Sequence, residues 1–494
     1  MQSDNSKLSK EWEGKIDEIR SLGVSPYPEK FDKQMDLRSV LGLKEATSVS
    51  TAGRIILLRT MGKLSFVTIQ DYSGRLQVVV KEDEIGADEY KKFKKLFSQG
   101  DLIGCVGSIF FTKTQEKSIL VKKYEFLGKS LSPLPEKWSG LKNQEIKYRQ
   151  RHLDLIANPK SMEDFLFRSN LIRSIREFYW KHHFYEVETP TLMQSATGAV
   201  ANPYKTKNDA LDLDLVLKIS HELPLKQLVV GGYDRVFELG KAFRNEGIDV
   251  SHLPEHTHLE HYVSYWNYED NMNFIENMFE SIFQSLNLSK QVTMEDGQTI
   301  DFDGPWKRVN FIELLKTETG IDVLSYDDSQ VLREAIISKG YTFEGIETMS
   351  LPGLVDNLYK KIVRPKIINP TLLYFYPLAL QPLARRNDHN HEIVDQFQLV
   401  VNGWEIVKAY SELVDPIDQE QRFSEQQNSK DKGEDEVMEI DYEYIKAMSY
   451  GMPPISGLGL GIDRLAALLL GKHNLRDVVL FPLLKPEIGE DANS

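Results

Sequence analysis

The sequence has little cysteine and no long apolar run, and its basic residues are fewer than its acidic ones. Its single cysteine, Cys105, excludes an internal disulfide and any zinc site built from several cysteines. No apolar run approaches the ~18–20 residues of a membrane span. The N-terminal segment Met1-Gln2-Ser3-Asp4-Asn5 lacks the apolar core of a secretory signal. We therefore expect a cytoplasmic protein that does not cross a membrane.

The deficit of basic residues gives the chain a strongly acidic balance. It has 60 lysines and arginines against 74 aspartates and glutamates, and its net charge is −14. This charge argues against non-specific binding to nucleic acid but permits a local basic surface. The length of 494 residues exceeds one compact core, so two or three domains are expected.

Residues 1–130 predict an opening helix followed by a small barrel. Trp12, Ile16 and Ile19 recur at helical spacing. From residue 51 to about residue 127, strand-like segments alternate with turns, and one helix is expected near residues 88–97. Five strands with a helix between the third and the fourth is the order of an OB-fold, a frequent nucleic-acid-binding module. A small barrel without that function would give the same pattern.

A second domain is expected over residues 161–488, after a linker at 131–160 and before a flexible tail at 489–494. Asn402-Gly403 between two apolar runs signals a hairpin. The stretch Gly457-Leu458-Gly459-Leu460-Gly461 predicts a glycine-rich strand that leads into a helix near Arg464. Small residues there would let a flat ligand lie on the strand.

The segment Phe243-Arg244-Asn245-Glu246-Gly247 predicts a hairpin that presents charged groups to one space. Arg244 and Glu246 are two residues apart, so on a strand they would share one face. Gly247 lets the chain turn, and Pro254 stiffens the return. A guanidinium binds phosphate or carboxylate bidentately, which makes the hairpin a candidate polyphosphate site. An isolated Arg-x-Glu pair is more often a surface ion pair.

Several ordered strings of the chain resemble those of one enzyme family. Motifs 1, 2 and 3 of the class II aminoacyl-tRNA synthetases are similar to Val187-Glu188-Thr189-Pro190, Phe243-Arg244-Asn245-Glu246 and Gly459-Leu460-Gly461-Ile462-Asp463-Arg464. The bacterial and eukaryotic lysyl-tRNA synthetase type is indicated by Val229-Val230-Gly231-Gly232, Asp234-Arg235-Val236 and Leu475-Arg476-Asp477-Val478-Val479-Leu480-Phe481-Pro482. The resemblance implies an α+β protein with an N-terminal OB-fold barrel, then a catalytic antiparallel sheet flanked by helices. It also implies a homodimer.

The resemblance implies a two-step reaction with ATP, lysine and tRNA as partners and Mg²⁺ as cofactor. The lysine carboxylate attacks the α-phosphate of ATP, which gives lysyl-adenylate and pyrophosphate. The terminal ribose hydroxyl of the tRNA then takes the lysyl group. Because no covalent enzyme intermediate is needed, catalysis rests on positioning and on charge stabilisation.

Carried over by position, the resemblance assigns ATP to charged residues of motifs 2 and 3. Arg244 would bridge the α-phosphate and the lysine carboxylate, and Glu246 would contact adenine. Arg464 would stack over adenine and touch the γ-phosphate. These three are the predicted catalytic residues. The remaining ATP contacts would be His252 at the distal phosphates, His256 beside adenine and Glu405 at the metal.

The resemblance also implies an acidic lysine pocket. The backbone of Gly198 and the carboxylate of Glu222 would receive the α-amine. Glu412 and Tyr262 would bind the ε-amine, with Glu260 close by. A deep carboxylate that faces a phenol suits a long primary amine. The predicted magnesium ligands are Glu405, Glu412 and Gln398.

Several pocket positions depart from the family pattern. Lys408 stands where the family has an asparagine that touches the lysine carboxylate. It could strengthen the grip on that carboxylate, or fold toward Glu412 and Glu222 and mimic the ammonium of the substrate. Gln398 replaces a glutamate and should weaken the magnesium site. The other departures are His256 for phenylalanine, Leu253 for asparagine, Pro224 for tyrosine and Val414 for asparagine.

Four barrel residues match family positions that stack on and hydrogen-bond the anticodon: Arg59, Phe66, Gln77 and Glu116. Stacking on Phe66 would contribute about 1–3 kcal/mol per base. The alternative for Phe66 is an ordinary core aromatic.

The sequence leaves three functions open. A working lysyl-tRNA synthetase is favoured because the charged residues of the predicted site are present, namely Arg244, Glu246, Glu405, Glu412 and Arg464. Lys408 and Gln398 favour two alternatives. One is a synthetase for a lysine-like amine or another amino acid, and the other is a non-catalytic tRNA-binding paralogue that keeps an intact barrel.

Overall fold

The computed structural model describes residues 2–134, 141, 143–199, 201–381, 383–431 and 441–486. The chain divides into two compact units, Met1–Glu163 and Asp164–Ser494. The domain boundaries given above remain predictions, and the tail at 489–494 lies outside the described residues. Two short helices occur in the segment that the sequence predicts to be a linker.

The first unit contains a five-stranded closed barrel, with strand order β1-β2-β3-β5-β4. Its elements are α1 (Gln2–Ser21), α2 (Leu37–Leu41), β1 (Ser48–Met61), β2 (Leu64–Asp71), β3 (Gly74–Lys81), α3 (Glu82–Ile85), α4 (Ala87–Leu96), β4 (Leu102–Phe111), β5 (Lys117–Gly128), α5 (Gln144–Arg149) and α6 (Arg151–Ala157). The helix α4 lies between the third and fourth strands, as predicted. The OB-fold prediction is confirmed.

Alternation along the strands separates the barrel core from its outer face. On β2, Val67 and Ile69 are fully buried, whereas the intervening Phe66 and Thr68 are only partly buried. Phe93 of α4 joins the barrel core, where its ring meets the edges of neighbouring aromatic rings.

The remaining elements follow from Pro159 onward. They are α7 (Pro159–Lys181), β6 (Tyr185–Glu186), β7 (Leu192–Met193), β8 (Lys205–Asn208), β9 (Leu213–Leu217), α8 (Glu222–Val230), β10 (Arg235–Phe243), β11 (Glu255–Ser264), α9 (Tyr268–Ser285), β12 (Gln291–Thr293), β13 (Thr299–Asp301), β14 (Lys307–Asn310), α10 (Phe311–Thr319), α11 (Ser329–Ser338), α12 (Leu351–Leu358), β15 (Thr371–Pro377), β16 (Ile393–Val401), β17 (Trp404–Ser411), α13 (Pro416–Asp431), α14 (Tyr442–Met448), β18 (Ile455–Gly461) and α15 (Ile462–Leu469).

An eight-stranded sheet organises the second unit, in the order β14-β15-β16-β17-β18-β11-β10-β6. The inner pairs are antiparallel, as predicted, and the edge pairs β14–β15 and β10–β6 are parallel. Every residue of β16 is buried, as expected for a strand covered on both faces. Helices α7 and α9 supply Ile175 and Phe279 to the core of this sheet.

The predicted turns are in place around this sheet. Asn402 and Gly403 join β16 to β17 with φ angles of 49° and 70°, values that suit a two-residue hairpin turn. The glycine-rich segment forms β18 and passes directly into α15. None of the helices in the described ranges is both long and apolar enough to span a membrane.

Candidate active site

The charged hairpin forms, but its two key residues lie beyond the strand. Pairing of β10 with β11 ends at Phe243 opposite Glu255. Arg244 then donates its backbone N–H to Pro254 O at 2.7 Å, and Glu246 donates to Arg244 O at 2.8 Å. The prediction that Arg244 and Glu246 share one face of a strand is therefore wrong. They belong to an open loop, because the regular ladder ends at Phe243 and the next backbone N–H after Arg244, that of Asn245, donates to Asn202 O at 2.7 Å instead.

Arg244 and Arg464 make one side of the site cationic. Glu246 is exposed, but the Nε atom of Arg244 is buried without a hydrogen-bond partner among the described residues. His256 lies near both guanidinium groups. Burial and the positive charges of Arg244 and Arg464 lower the pKa of His256 to about 3. A neutral imidazole beside two cations leaves the region suited to a polyphosphate.

Arg464, in the first turn of α15, connects three segments of the chain. Its Nη1 donates to the backbone oxygen of Glu405 at 3.0 Å, and its Nη2 lies 3.2 Å from His252 Nε2. The Nδ1 of His252 in turn lies 2.8 Å from Asp249 Oδ2. The glycine strand, the hairpin loop and β17 therefore meet at one guanidinium group, and the structure brings Arg464, His252 and Glu405 together.

Three buried carboxylates form the acidic side of the site. Glu222 begins α8, Glu260 lies on β11, and Glu412 follows β17; they are 6%, 5% and 1% exposed. Glu260 Oε1 accepts hydrogen bonds from Ser220 Oγ at 2.8 Å and from the backbone N–H of His221 at 3.1 Å. Burial raises the pKa of both Glu260 and Glu412.

Lys226 lies between two of these carboxylates, and the sequence reasoning missed it. Its Nζ is 2.6 Å from Glu222 Oε1 and also contacts Glu412 Oε2. Burial alone would lower the pKa of Lys226, but Glu222 and Glu412 raise it above its ordinary value. The rings of three tyrosines stand 5.7 Å from the ammonium, namely Tyr262, Tyr410 and Tyr444.

One of the two ion pairs of Lys226 had a sequence signal. Glu222 and Lys226 are four residues apart in the sequence, a spacing at which opposite charges meet on a helix such as α8. Tyr410 strengthens this cluster, since its hydroxyl donates to Glu222 Oε1 at 2.8 Å. The contact with Glu412 had no such signal, because Glu412 comes from a distant strand.

Lys408 does not make the ion pair that one of the two alternatives required. It lies on β17 opposite Gln398 and Gly459. Within the part of the chain that the structure describes, its ammonium forms no ion pair and no hydrogen bond. Burial lowers the pKa of Lys408, and Glu405 and Glu222 oppose that effect. The position between Glu412 and Glu222 is taken by Lys226 instead.

The three predicted magnesium ligands do not share one set of contacts. Gln398 Oε1 accepts a hydrogen bond from Tyr376 at 2.9 Å, and Glu412 contacts Lys226. The carboxylate of Glu405 has no partner among the residues described. No cluster of three His, Cys, Asp or Glu side chains spaced for a metal is found in the described ranges. Of the three predicted ligands, Glu405 is the one whose side chain makes no contact of this kind in the described ranges.

The glycines shape the pocket. Gly198 has a φ of 85°, and a Cβ there would come within 3.1 Å of the Cβ of Glu222, so its backbone lies beside that residue. A Cβ on Gly459 would come within 2.9 Å of His258 Nε2. Side chains thus fill part of the space that the sequence assigned to a flat ligand. At Gly461 the nearest atom would be 3.8 Å away, and room remains beside Arg464.

Two further carboxylates tie the motifs together. Glu238 on β10 accepts hydrogen bonds from the backbone N–H and hydroxyl of Thr189. Burial would raise the pKa of Glu238, but hydrogen bonds and charge from His221 and Lys218 lower it to about 2. Asp463 Oδ2 accepts the backbone N–H of Thr257 at 2.7 Å, which fixes α15 against β11.

The predicted anticodon residues share the outer surface of the barrel. Arg59 pairs with Phe66 across β1 and β2, and Gln77 lies on β3 beside them. Gln77 Nε2 donates to Ser118 Oγ at 3.1 Å, close to the exposed Glu116. Phe66 lies outside the barrel core, so the alternative that it is an ordinary core residue is wrong.

The OB-fold barrel, the eight-stranded sheet and the arginines of motifs 2 and 3 define a class II aminoacyl-tRNA synthetase. Comparison with family models agrees. Residues 143–485 match "tRNA synthetases class II (D, K and N)", and residues 49–127 match "OB-fold nucleic acid binding domain".

Curated relatives show which kind of class II synthetase this chain is similar to. A "Lysine--tRNA ligase" of Fervidobacterium nodosum is 40% identical over 96% of this chain and 93% of its own length. A "Lysine--tRNA ligase" of Aquifex aeolicus is 42% identical over 89% of this chain and 73% of its own length. A "Lysine--tRNA ligase 2" of Methanosarcina acetivorans is 40% identical over 98% of this chain and 94% of its own length. The chain belongs to the lysine–tRNA ligase family.

Proposed function

We propose that the protein activates lysine with ATP as lysyl-adenylate and transfers the lysyl group to tRNA. The observation that carries this proposal is that one site contains a cationic group of side chains next to a group of buried carboxylates. β17 links the two groups: the backbone oxygen of its Glu405 accepts a hydrogen bond from Arg464 at 3.0 Å, and Glu412, which follows the strand, shares Lys226 with Glu222. Cationic groups for a polyphosphate thus adjoin carboxylates for ammonium groups.

The activation step needs charge compensation more than proton transfer. As the lysine carboxylate attacks the α-phosphate, negative charge grows on the phosphate oxygens while pyrophosphate leaves. Arg244, whose Nε lacks a partner among the described atoms, would hold the reacting carboxylate and phosphate together. Arg464 would stabilise the distal phosphates from its position beside His252. Glu246, exposed on the loop, would reach adenine.

The acidic side would receive the two amines of lysine. Glu222 and the backbone of Gly198 are proposed for the α-amine, and Glu412 with Tyr262 for the ε-amine. Glu412 Oε1 and Glu260 Oε2 are buried acceptors that receive no hydrogen bond in the described structure. A ligand that brings ammonium donors would satisfy both oxygens.

Magnesium is proposed to enter with ATP. Mg²⁺ in nucleotide sites is held mainly by phosphate oxygens, water and one or two carboxylates, and the free carboxylate of Glu405 fits that pattern. When bound, the ion would neutralise charge on the phosphates. Gln398 and Glu412 stay the other proposed ligands, and in this structure they contact Tyr376 and Lys226.

Dimer formation and tRNA binding complete the proposal. Three aromatic residues near the edge strand β6 are exposed: Trp180 by 52%, Tyr185 by 61% and Tyr233 by 41%. The ring centroid of Tyr185 lies 6.5 Å from that of Trp180 and 6.3 Å from that of Tyr233. A row of exposed aromatic rings beside an edge strand supports a homodimer contact there. We propose that the barrel surface at Phe66 stacks on anticodon bases, and that the enzyme works in the cytoplasm, where tRNA is used.

Lysine-dependent exchange of pyrophosphate into ATP, followed by charging of tRNA, tests this function. Exchange with lysine is expected. Exchange with a different amino acid and not with lysine would select the synthetase of altered specificity. No exchange with any amino acid, together with retained tRNA binding, would select the non-catalytic paralogue.

A further inference from the structure

The acidic pocket already contains an ammonium group of the protein. Lys226 is fully buried on α8, and its Nζ holds Glu222 Oε1 and Glu412 Oε2 together. Burying a charged lysine is unfavourable unless it is paired, and here two carboxylates from separate segments pair with it. Because Lys226 has both partners, it connects the start of α8 to the end of β17.

The ammonium of Lys226 is fixed in place and is not free to swing aside. The rings of Tyr262, Tyr410 and Tyr444 surround it at 5.7 Å each. Lys226 itself belongs to the second turn of a helix, so its backbone cannot retreat without unwinding α8. The cation is therefore expected to stay when a substrate binds.

With that cation fixed, free acceptor atoms remain at defined places. Glu412 uses Oε2 for Lys226, and its buried Oε1 accepts no hydrogen bond within the described chain. Oε1 lies above Gly457 and beside the ring of Tyr262, as shown by the clash that a Cβ on Gly457 would cause with both. The free oxygen of Glu412 therefore lies beside Tyr262, the other residue of the proposed ε-amine site.

We propose that Lys226 is a positioning residue that sets the length of the diamino acid accepted by the pocket. The inference rests on the proposed function, in which Glu222 and Glu412 receive the two amines of lysine. By holding one oxygen of each carboxylate, Lys226 fixes the separation of the two amine subsites. An amino acid one methylene shorter would leave one carboxylate oxygen unpaired.

Pyrophosphate exchange with lysine and with ornithine, which is one methylene shorter, tests this role. The K226M variant removes the ammonium while it keeps most of the side-chain volume. We expect KM for lysine to rise about tenfold to a hundredfold, with a smaller change in kcat. The preference for lysine over ornithine in kcat/KM should fall. The matched control is Q227M, an exposed position on the same helix, which should behave as the parent protein does.

Chemical rescue separates this role from a merely structural one. In K226A the missing atoms correspond to n-propylammonium, which should restore lysine exchange, whereas n-propanol should not. In the parent protein propylammonium should only inhibit. K226Q provides a second variant that keeps volume and polarity without the charge, should either of the others fail to fold.

Several outcomes would overturn the inference. If K226M and K226Q lose stability while KM for lysine and the preference for lysine stay at the values of Q227M, Lys226 has only a structural role. Absence of rescue by propylammonium in folded K226A would also contradict it. A parent protein without lysine-dependent exchange would instead refute the proposed function, and the inference with it.

Discussion

Gly457 on β18 lies directly against Glu412: a Cβ built on Gly457 would come within 2.3 Å of Glu412 Oε1 and within 2.3 Å of the ring of Tyr262. The floor of the acidic pocket is therefore a glycine because the side chains of Glu412 and Tyr262 fill the space above it. This close approach is a second constraint on the pocket, independent of its charges.

The substitution G457A should impair lysine use. Either Glu412 or Tyr262 must shift, and overpacking of this kind typically costs about 1–3 kcal/mol. We expect a raised KM for lysine in pyrophosphate exchange, with little change in KM for ATP. The control is G353A in α12, where the nearest atom to a new Cβ would be 3.5 Å away. An unchanged KM for lysine in G457A would contradict the assignment of Glu412 and Tyr262 to the amine.

The substitution K408N should weaken activation. Because the ammonium of Lys408 is not committed to any carboxylate among the described residues, it is available to the carboxylate of a substrate. Losing one charged hydrogen bond should lower kcat/KM for lysine by about tenfold or more. The exposed Lys307 on β14 provides a matched control, K307N. A silent parent protein that K408N restores to activity would instead identify Lys408 as a block.

The substitution E405Q should raise the magnesium requirement. Glu405 is the predicted ligand whose carboxylate is free, and a neutral amide is a weaker ligand for Mg²⁺. We expect the magnesium concentration for half-maximal exchange to rise by about tenfold or more. A titration of the exposed control E392Q should match the parent protein. If E405Q and the parent titrate alike, Glu405 does not hold the metal.

The substitution F66A should affect only the step that uses tRNA. Loss of one stacked base should cost about 1–3 kcal/mol of tRNA binding. We expect a higher KM for tRNA in the charging assay, while lysine-dependent pyrophosphate exchange stays at the level of the parent protein. Y27A, which removes an aromatic ring that is 57% exposed outside the barrel strands, is the control. Equal KM values for tRNA in the two variants would rule out stacking on Phe66.

Acid should destabilise the fold through a buried histidine. Burial lowers the pKa of His261 from 6.5 to about 3, although the hydrogen bond with Asn271 opposes that shift; the other ring nitrogen lies 2.9 Å from the Tyr179 hydroxyl. Between those two pH values the unfolded chain binds the proton more tightly. Stability is therefore complete above about pH 6.5 and falls as the pH decreases toward 3, by up to about 1.4 kcal/mol per pH unit.

Chemical unfolding at pH 7 and pH 5 measures that effect. The H261Q variant should be less stable at pH 7 but should lose less stability on going to pH 5 than the parent protein does. The exposed H389Q should show the same pH dependence as the parent. A loss in H261Q that is as large as in the parent would assign the acid sensitivity to other groups, such as His256.

Much of the fold could be predicted from the sequence alone. Period-two alternation and turn residues predicted the barrel, because burial of one strand face is a local rule. The motif strings predicted the hairpin, the glycine strand and the proximity of Arg464 to His252 of the hairpin loop. The same local rule failed at Arg244 and Glu246, since alternation cannot tell where the partner strand stops pairing.

The tertiary structure alone decided how the charges of the pocket are paired. A sequence shows that Lys226 and Lys408 are both present, and helix spacing links Lys226 to Glu222. It cannot show which ammonium meets Glu412, because that contact depends on how the end of β17 packs against α8. In a buried site the nearest opposite charge dominates, and only the fold sets which charge is nearest.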